Sequence, residues 1–198
     1  MVSRLYSKRN SVVKIGNVVL KKVALPQLAR QEVLRLRLLE KHKVHVPYVL
    51  GSAGCYIFMK YVQGATLTDW LGQRERTKPE MEQVANRLAV WLYGFYKGVH
   101  HSKTGIILED VNCRNFIVSV DKPILGVDFE SFSHGTMEDN IGEIIAFVNS
   151  YDILEQNKYL FTQCFFEGAS DILKLDTEQV LAAVQRAKER IAQRRKSK

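Results

Sequence analysis

Cysteine is scarce in this chain: Cys55, Cys113 and Cys164 lie far apart and show no Cys-x-x-Cys spacing. An odd, dispersed set argues against a disulfide framework and against a zinc site. It points instead to a reducing, cytoplasmic compartment. Long apolar runs are missing as well, and none approaches the roughly 20 residues that a membrane-crossing helix requires. The first residues lack the apolar region and cleavage site of a signal peptide. The expectation is therefore a soluble cytoplasmic protein with no membrane partner. Five histidines (His42, His45, His100, His101 and His134) show no metal-ligand spacing. No internal repeat is present.

What remains is an ordinary globular composition, 198 residues with 46% hydrophobic side chains, enough for one compact two-lobed unit. The net charge is +8, which favours anionic partners. Arg186, Lys188, Arg190, Arg194, Arg195, Lys196 and Lys198 crowd the last stretch. Cations there suit the negative end of a helix. They would equally suit an RNA or protein contact, and both readings stay open at this level.

Periodicity divides the chain in two. Val12-Val13-Lys14 and Val18-Val19-Leu20 are β-branched runs joined by a turn at Gly16. After Pro26, Leu28, Glu32, Leu36 and Leu39 fall on one helical face, and Pro47 is expected to close that region. Tyr56-Ile57-Phe58-Met59 reads as a buried strand, and residues 60–65 as a hinge. Beyond it, Leu67 to Leu71 forms a short helix. A long helix over 81–100 carries Val84, Leu88, Trp91, Leu92 and Phe95 at three- and four-residue steps. Short strands follow at 106–108, 116–118 and 124–127, and helices from 139 onward. The fold class is α+β: a β-rich lobe with one helix over residues 1–60, then a mostly helical lobe over 61–198. A ligand is expected in the cleft between them.

The chemistry concentrates where two of these strands bracket polar loops holding Asp110, Asn115 and Asp128. Phosphoryl transfer to a hydroxyl needs a carboxylate for the acceptor and hard oxygen ligands for Mg²⁺. Asp110 suits the first need, Asn115 and Asp128 the second. A strand hairpin would bring Asp128 back beside Asn115.

These intervals resemble the protein-kinase superfamily. Its catalytic loop places an asparagine five positions after the aspartate, as Asn115 follows Asp110. Its metal motif begins thirteen residues later, where Asp128-Phe129 stands. The resemblance implies that Lys21, in Val18-Val19-Leu20-Lys21-Lys22, grips ATP phosphates and that Glu32 on the next helix holds it. Lys21 is preferred to Lys22 by likeness to the double-lysine strand of cyclin-dependent kinases. Phe58 to Gly64 is similar to the kinase hinge, with Met59 guarding the back of an adenine pocket and Tyr61 beside it. ATP and Mg²⁺ are the implied cofactors, and the implied acceptor is a hydroxyl on a protein or a small molecule.

The departures are informative. No glycine lies between Tyr6 and Lys14, so Ser7, Arg9, Asn10 and Ser11 would have to face the phosphates. Leu108 replaces the family's histidine and Asn112 a common lysine. Glu130 replaces the glycine of the metal motif, as in choline and aminoglycoside kinases. About ten residues separate Glu130 from the next helix, too few for an activation segment. Small size and a basic tail resemble the RIO-like branch, and within it the kinase/ATPase of the KEOPS tRNA-modification complex. Glu138-Asp139-Asn140 and Val44-His45-Val46-Pro47 carry that narrower likeness. It implies that Asp139 buttresses the catalytic loop. The expected activity is an atypical kinase; the alternatives are a pseudokinase or an ATPase subunit of a tRNA-modifying assembly.

Overall fold

The structure, a computed structural model, describes residues 2–5, 10–99, 105–119 and 122–196. Ser7, Arg9, His100, His101 and Lys198 lie outside them. The first lobe is an antiparallel sheet of β1 (Val2–Leu5), β2 (Ser11–Ile15), β3 (Val18–Lys22), β4 (Val49–Ala53) and β5 (Tyr56–Lys60), in the order β1-β2-β3-β5-β4. The β2–β3 turn holds Gly16 at φ 59°, a conformation that costs glycine nothing. Helix α1 (Pro26–Lys41) starts on a proline whose fixed φ suits a first turn. It buries Ala29, Val33, Leu36 and Leu39 against the sheet.

Two expectations need correction here. Helix α1 stops well before Pro47, because Lys43 takes a left-handed φ of 60° and the Val44 amide donates to the Leu39 carbonyl at 2.9 Å. Strand β5 is not buried throughout. Ile57 and Met59 face inward, whereas Tyr56 and Phe58 are exposed, since α1 covers one face of the sheet.

Residues 61–64 lead into the second lobe: β6 (Ala65–Thr66), α2 (Leu67–Gly72), α3 (Lys78–Val99), β7 (Ile106–Leu108), β8 (Phe116–Val118), β9 (Leu125–Gly126), β10 (Phe132–His134), α4 (Met137–Ser150), α5 (Glu155–Leu173) and α6 (Thr177–Lys196). Helix α3 is the core of this lobe, and its Leu88, Leu92 and Phe95 are fully buried. Strands β1 and β10 carry no apolar run like those of β7 and β8, since Ser3-Arg4 and Ser133-His134 interrupt them. No described helix is long and apolar enough to cross a membrane.

Helix α6 lies along α4. A methyl at Gly142 would come within 2.6 Å of the Ala183 side chain, so the two helices close only because that side chain is absent. Arg186 pairs with Asp139 at 2.8 Å, Arg190 with Glu143 at 3.5 Å, and Arg195 donates to the Ser150 carbonyl. Part of the basic tail is thus tied to its own lobe. Asp139 also closes a capping box with Thr136 at the start of α4. Burial alone would raise the Asp139 carboxyl, but the Thr136 amide, Arg186 and the Thr136 hydroxyl together hold it below its usual range. A depressed folded-state pKa stabilises above the unfolded value and is lost as pH falls through the folded one. Arg186→Ala should therefore destabilise by about 0.5–1 kcal/mol at neutral pH and by less near pH ~3, the pair being half-exposed. Urea unfolding at the two pH values measures both.

Candidate active site

Strand alternation decides which lysine enters the cleft. Lys21 shares the inner face of β3 with Val19 and is 4% exposed, whereas Lys22 points to solvent. The Lys21 ammonium lies 2.8 Å from Glu32, 2.6 Å from Asp128 and 3.0 Å from Glu130. Burial would lower its pKa, but Glu32 and Asp128 outweigh that and lift it above the ordinary lysine range. Glu32 sits on the buried face of α1, where desolvation pushes its carboxyl up against the opposing pull of Lys21. Its Oε2 is buried without a hydrogen-bond partner. Carboxylate oxygens of Glu32, Asp128 and Glu130 lie within 4.8 Å of one another, a spacing that could hold a metal ion.

The other side of the site is built on β7, β8 and β9. Asn115 precedes β8, and its carbonyl accepts the Val127 amide at 2.8 Å, extending the β8–β9 hairpin to the doorstep of Asp128. This bond converts thirteen residues of sequence into adjacency. Asp128 itself has φ 69°, a left-handed conformation that a non-glycine residue holds only when its surroundings impose it. Arg35 of α1 imposes part of it by donating to the carbonyls of Phe129 and Glu130. Two residues before Asp128, Gly126 lets the strand lie directly on α3, since a methyl there would meet Trp91 at 2.3 Å.

Asp110 is exposed to the cleft. Its Oδ1 accepts the Asn112 amide at 3.0 Å, and its carbonyl accepts the Asn115 side-chain amide at 3.2 Å. Asn112 Oδ1 in turn accepts the Tyr151 hydroxyl at 2.7 Å. The loop is anchored from behind by Asn140, not by Asp139. Asn140 is fully buried, donates to the Leu108 carbonyl at 2.8 Å, and accepts the Leu108 amide and the Tyr96 hydroxyl, both at 3.0 Å. Asp139 points elsewhere, to Thr136 and Arg186. The expected buttress is one residue further along the chain.

Lys21, Glu32, Met59, Tyr61, Asp110, Asn115 and Asp128 all line one cavity of about 640 Å³ between the lobes. Met59 is buried at the sheet side. Tyr61 donates its amide to the Asn17 carbonyl at 2.8 Å, and its ring carries the Lys14 ammonium at 3.6 Å. Asn10, just before β2, donates to Glu130; Ser7 and Arg9 lie outside the described residues. Arg35, Asn140 and the Thr66–Asp69 pair at the cavity mouth were not anticipated. Arg35 and Asn140 act through backbone groups, which leave no residue-type signature. The carboxylates of Glu32, Asp128 and Glu130 are hard oxygen donors of the kind magnesium takes, Asn115 lines the same cavity as Asp128, and the cavity's apolar walls (Val12, Val19, Met59) beside Lys21 fit a nucleotide.

Removing Lys21 alone would strand Glu32 as a buried uncompensated charge. Lys21→Met is expected to destabilise the protein by about 3 kcal/mol, with much of that recovered in Lys21→Met/Glu32→Leu. Denaturant unfolding of the single and double variants tests it; additive losses would show that the two groups are not coupled.

No family model matches the chain, and no curated protein does. Among solved structures it is similar to a choline/ethanolamine kinase family protein from Mesorhizobium loti, with a TM-score of 0.52 and 14% identity, over 85% of this chain and 70% of that one. Identity this low speaks to the fold alone. It gives no support to the narrower RIO-like or KEOPS branch. The α+β, two-lobed architecture is a protein-kinase-like fold.

Proposed function

We propose that this protein is an ATP-dependent phosphotransferase that uses Mg²⁺ and delivers the γ-phosphate to a hydroxyl group. The observation that carries the reading is the Lys21 ammonium bridging Glu32 and Asp128 in the same cavity that holds Asp110 and Asn115. Lys21 would meet the α/β phosphates, held in place by Glu32. Met59 and Tyr61 would flank the adenine. Asn115 and Asp128 would hold Mg²⁺, which when bound withdraws charge from the phosphate oxygens. Asp110 orients the acceptor hydroxyl. As the acceptor oxygen bonds to the γ-phosphorus, the bond to the ADP oxygen breaks, and the hydroxyl proton passes to Asp110.

The acceptor is a Ser/Thr side chain or a small-molecule alcohol, and the geometry favours the second. Between Glu130 and α4 the chain forms β10, paired to β7, and then the cap of α4. That leaves no loop on which a peptide could dock. The described cysteines are all free, which supports a cytoplasmic setting. Helix α6 enters this reading as a packing element rather than an RNA contact, because Arg186, Arg190 and Arg195 are engaged with α4.

One observation favours a second reading, a nucleotide-binding module without transfer: Lys21 is already engaged by Glu32, Asp128 and Glu130 together. A single assay separates the two. With γ-labelled ATP, Mg²⁺ and a panel of amino alcohols, sugars and Ser/Thr peptides, label transfer is expected and should fall at least about 100-fold in Asp110→Ala and Asp128→Ala. Mg²⁺-dependent nucleotide binding without transfer would favour the module. Absence of both would sink the enzyme reading.

A further inference from the structure

We infer that the outer face of the N-terminal sheet docks on an anionic lipid surface. Cross-strand partners share a face. The register places Arg4, Val13, Leu20 and Phe58 in one row, and Ser11, Lys22 and Tyr56 in the next, on the side opposite Lys21 and Met59. Among the described residues no helix covers this side. Val2, Ile15, Tyr56 and Phe58 of this face, with Tyr48 just before β4 and Leu50 at its bulge, are between 37% and 68% exposed, a concentration of apolar surface in one region. Lys22 and Lys60 sit over the rings of Tyr56 and Tyr48 at 5.7 and 5.8 Å.

The charge of the lobe names the partner. Residues 1–60 contain twelve Lys/Arg and two Glu; of these cations Arg4, Lys22 and Lys60 lie on the outer face, whereas Lys14 and Lys21 lie on the inner face and Arg30, Arg35, Arg37 and Lys41 on α1. One of the two glutamates, Glu32, is buried in the cleft, and the other, Glu40, lies on α1. Among the described residues no acid belongs to the outer sheet face. The surface is thus apolar and cationic together. A bilayer interface accepts both, taking aliphatic and ring side chains at headgroup depth while Arg4, Lys22 and Lys60 meet lipid phosphate and carboxylate. Single-stranded nucleic acid would stack on the rings but has no matching use for Val2, Ile15 and Leu50. A second copy packed face to face would set these cations against their own kind. The contact is peripheral and involves no membrane-spanning element. The cleft is lined by the opposite face of the sheet through Val12, Val19, Lys21 and Met59, and of the proposed contacts Lys60, at the end of β5, alone borders it.

Vesicle sedimentation tests the inference without reference to catalysis. Folded wild-type protein should bind vesicles of phosphatidylcholine mixed with phosphatidylserine, not phosphatidylcholine alone, and less as salt rises. Binding should fall at least about tenfold in Arg4→Glu/Lys22→Glu and in Leu50→Asp/Phe58→Asp. Circular dichroism checks the fold of each, and the charge variant alone suffices if the apolar one fails to fold. Lys188→Glu on α6 should leave binding unchanged. Three outcomes would overturn the inference: no preference for the anionic vesicles, equal loss in Lys188→Glu, or tight binding of a single-stranded RNA oligonucleotide that the same sheet variants abolish while vesicles stay unbound.

Discussion

The arrangement turns on one ammonium group. Lys21 lies at the meeting point of three elements distant in sequence, β3, α1 and the loop after β9, and makes ion pairs to the latter two. Taking an ammonium and a carboxylate out of water is strongly unfavourable unless each satisfies the other. The buried Glu32 therefore has one acceptable place to be, and so does helix α1. Asp128, whose left-handed backbone lies beside carbonyls that Arg35 holds, contributes its carboxylate to the same contact. The placement of α1 and of the loop after β9 against β3 both answer this electrostatic requirement.

That requirement also sets how the site can respond to a ligand. With three carboxylates around one ammonium, the cluster carries excess negative charge. A divalent cation would relieve it, and nucleotide phosphates arriving with that cation would offer Lys21 new partners without leaving the carboxylates exposed to one another. Glu130 tightens the coupling, since it touches Lys21, accepts from Asn10 and sits where Arg35 grips the backbone. Those contacts link Asn10, the loop after β9 and α1 into one unit. A glycine at this position could make the turn but not the side-chain links.

The parts of this site that were legible in the sequence are those whose spacing is enforced locally. Asp110, Asn115 and Asp128 lie within one loop and one hairpin, so their intervals survive as a pattern. Lys21 and Glu32 needed the resemblance, although period-two alternation in β3 independently separates Lys21 from Lys22. What stayed hidden acts across the chain through backbone groups. Asn140 recognises the peptide unit of Leu108, and Arg35 recognises carbonyls; neither contact constrains the partner's side chain, so no motif records it. The misplacement of the buttress at Asp139 has the same origin. On a helix, adjacent residues point about 100° apart. Asp139 therefore faces α6 while Asn140 faces the catalytic loop.

The outer sheet face was illegible for a related reason. Its apolar side chains alternate with inward ones along every strand, so no run of hydrophobic residues marks it, and Tyr56 to Met59 reads as core throughout. Only the register separates Phe58 from Met59. Strand β3 shows what this allows within five residues: Lys21 faces a cleft where it must be neutralised by carboxylates, and Lys22 faces outward where, among the described residues, no acid shares its surface. Two lysines of identical chemistry thus acquire opposite electrostatic settings from the pleat alone. A basic lobe can in this way present positive charge to a partner on one side while its cleft remains net acidic on the other.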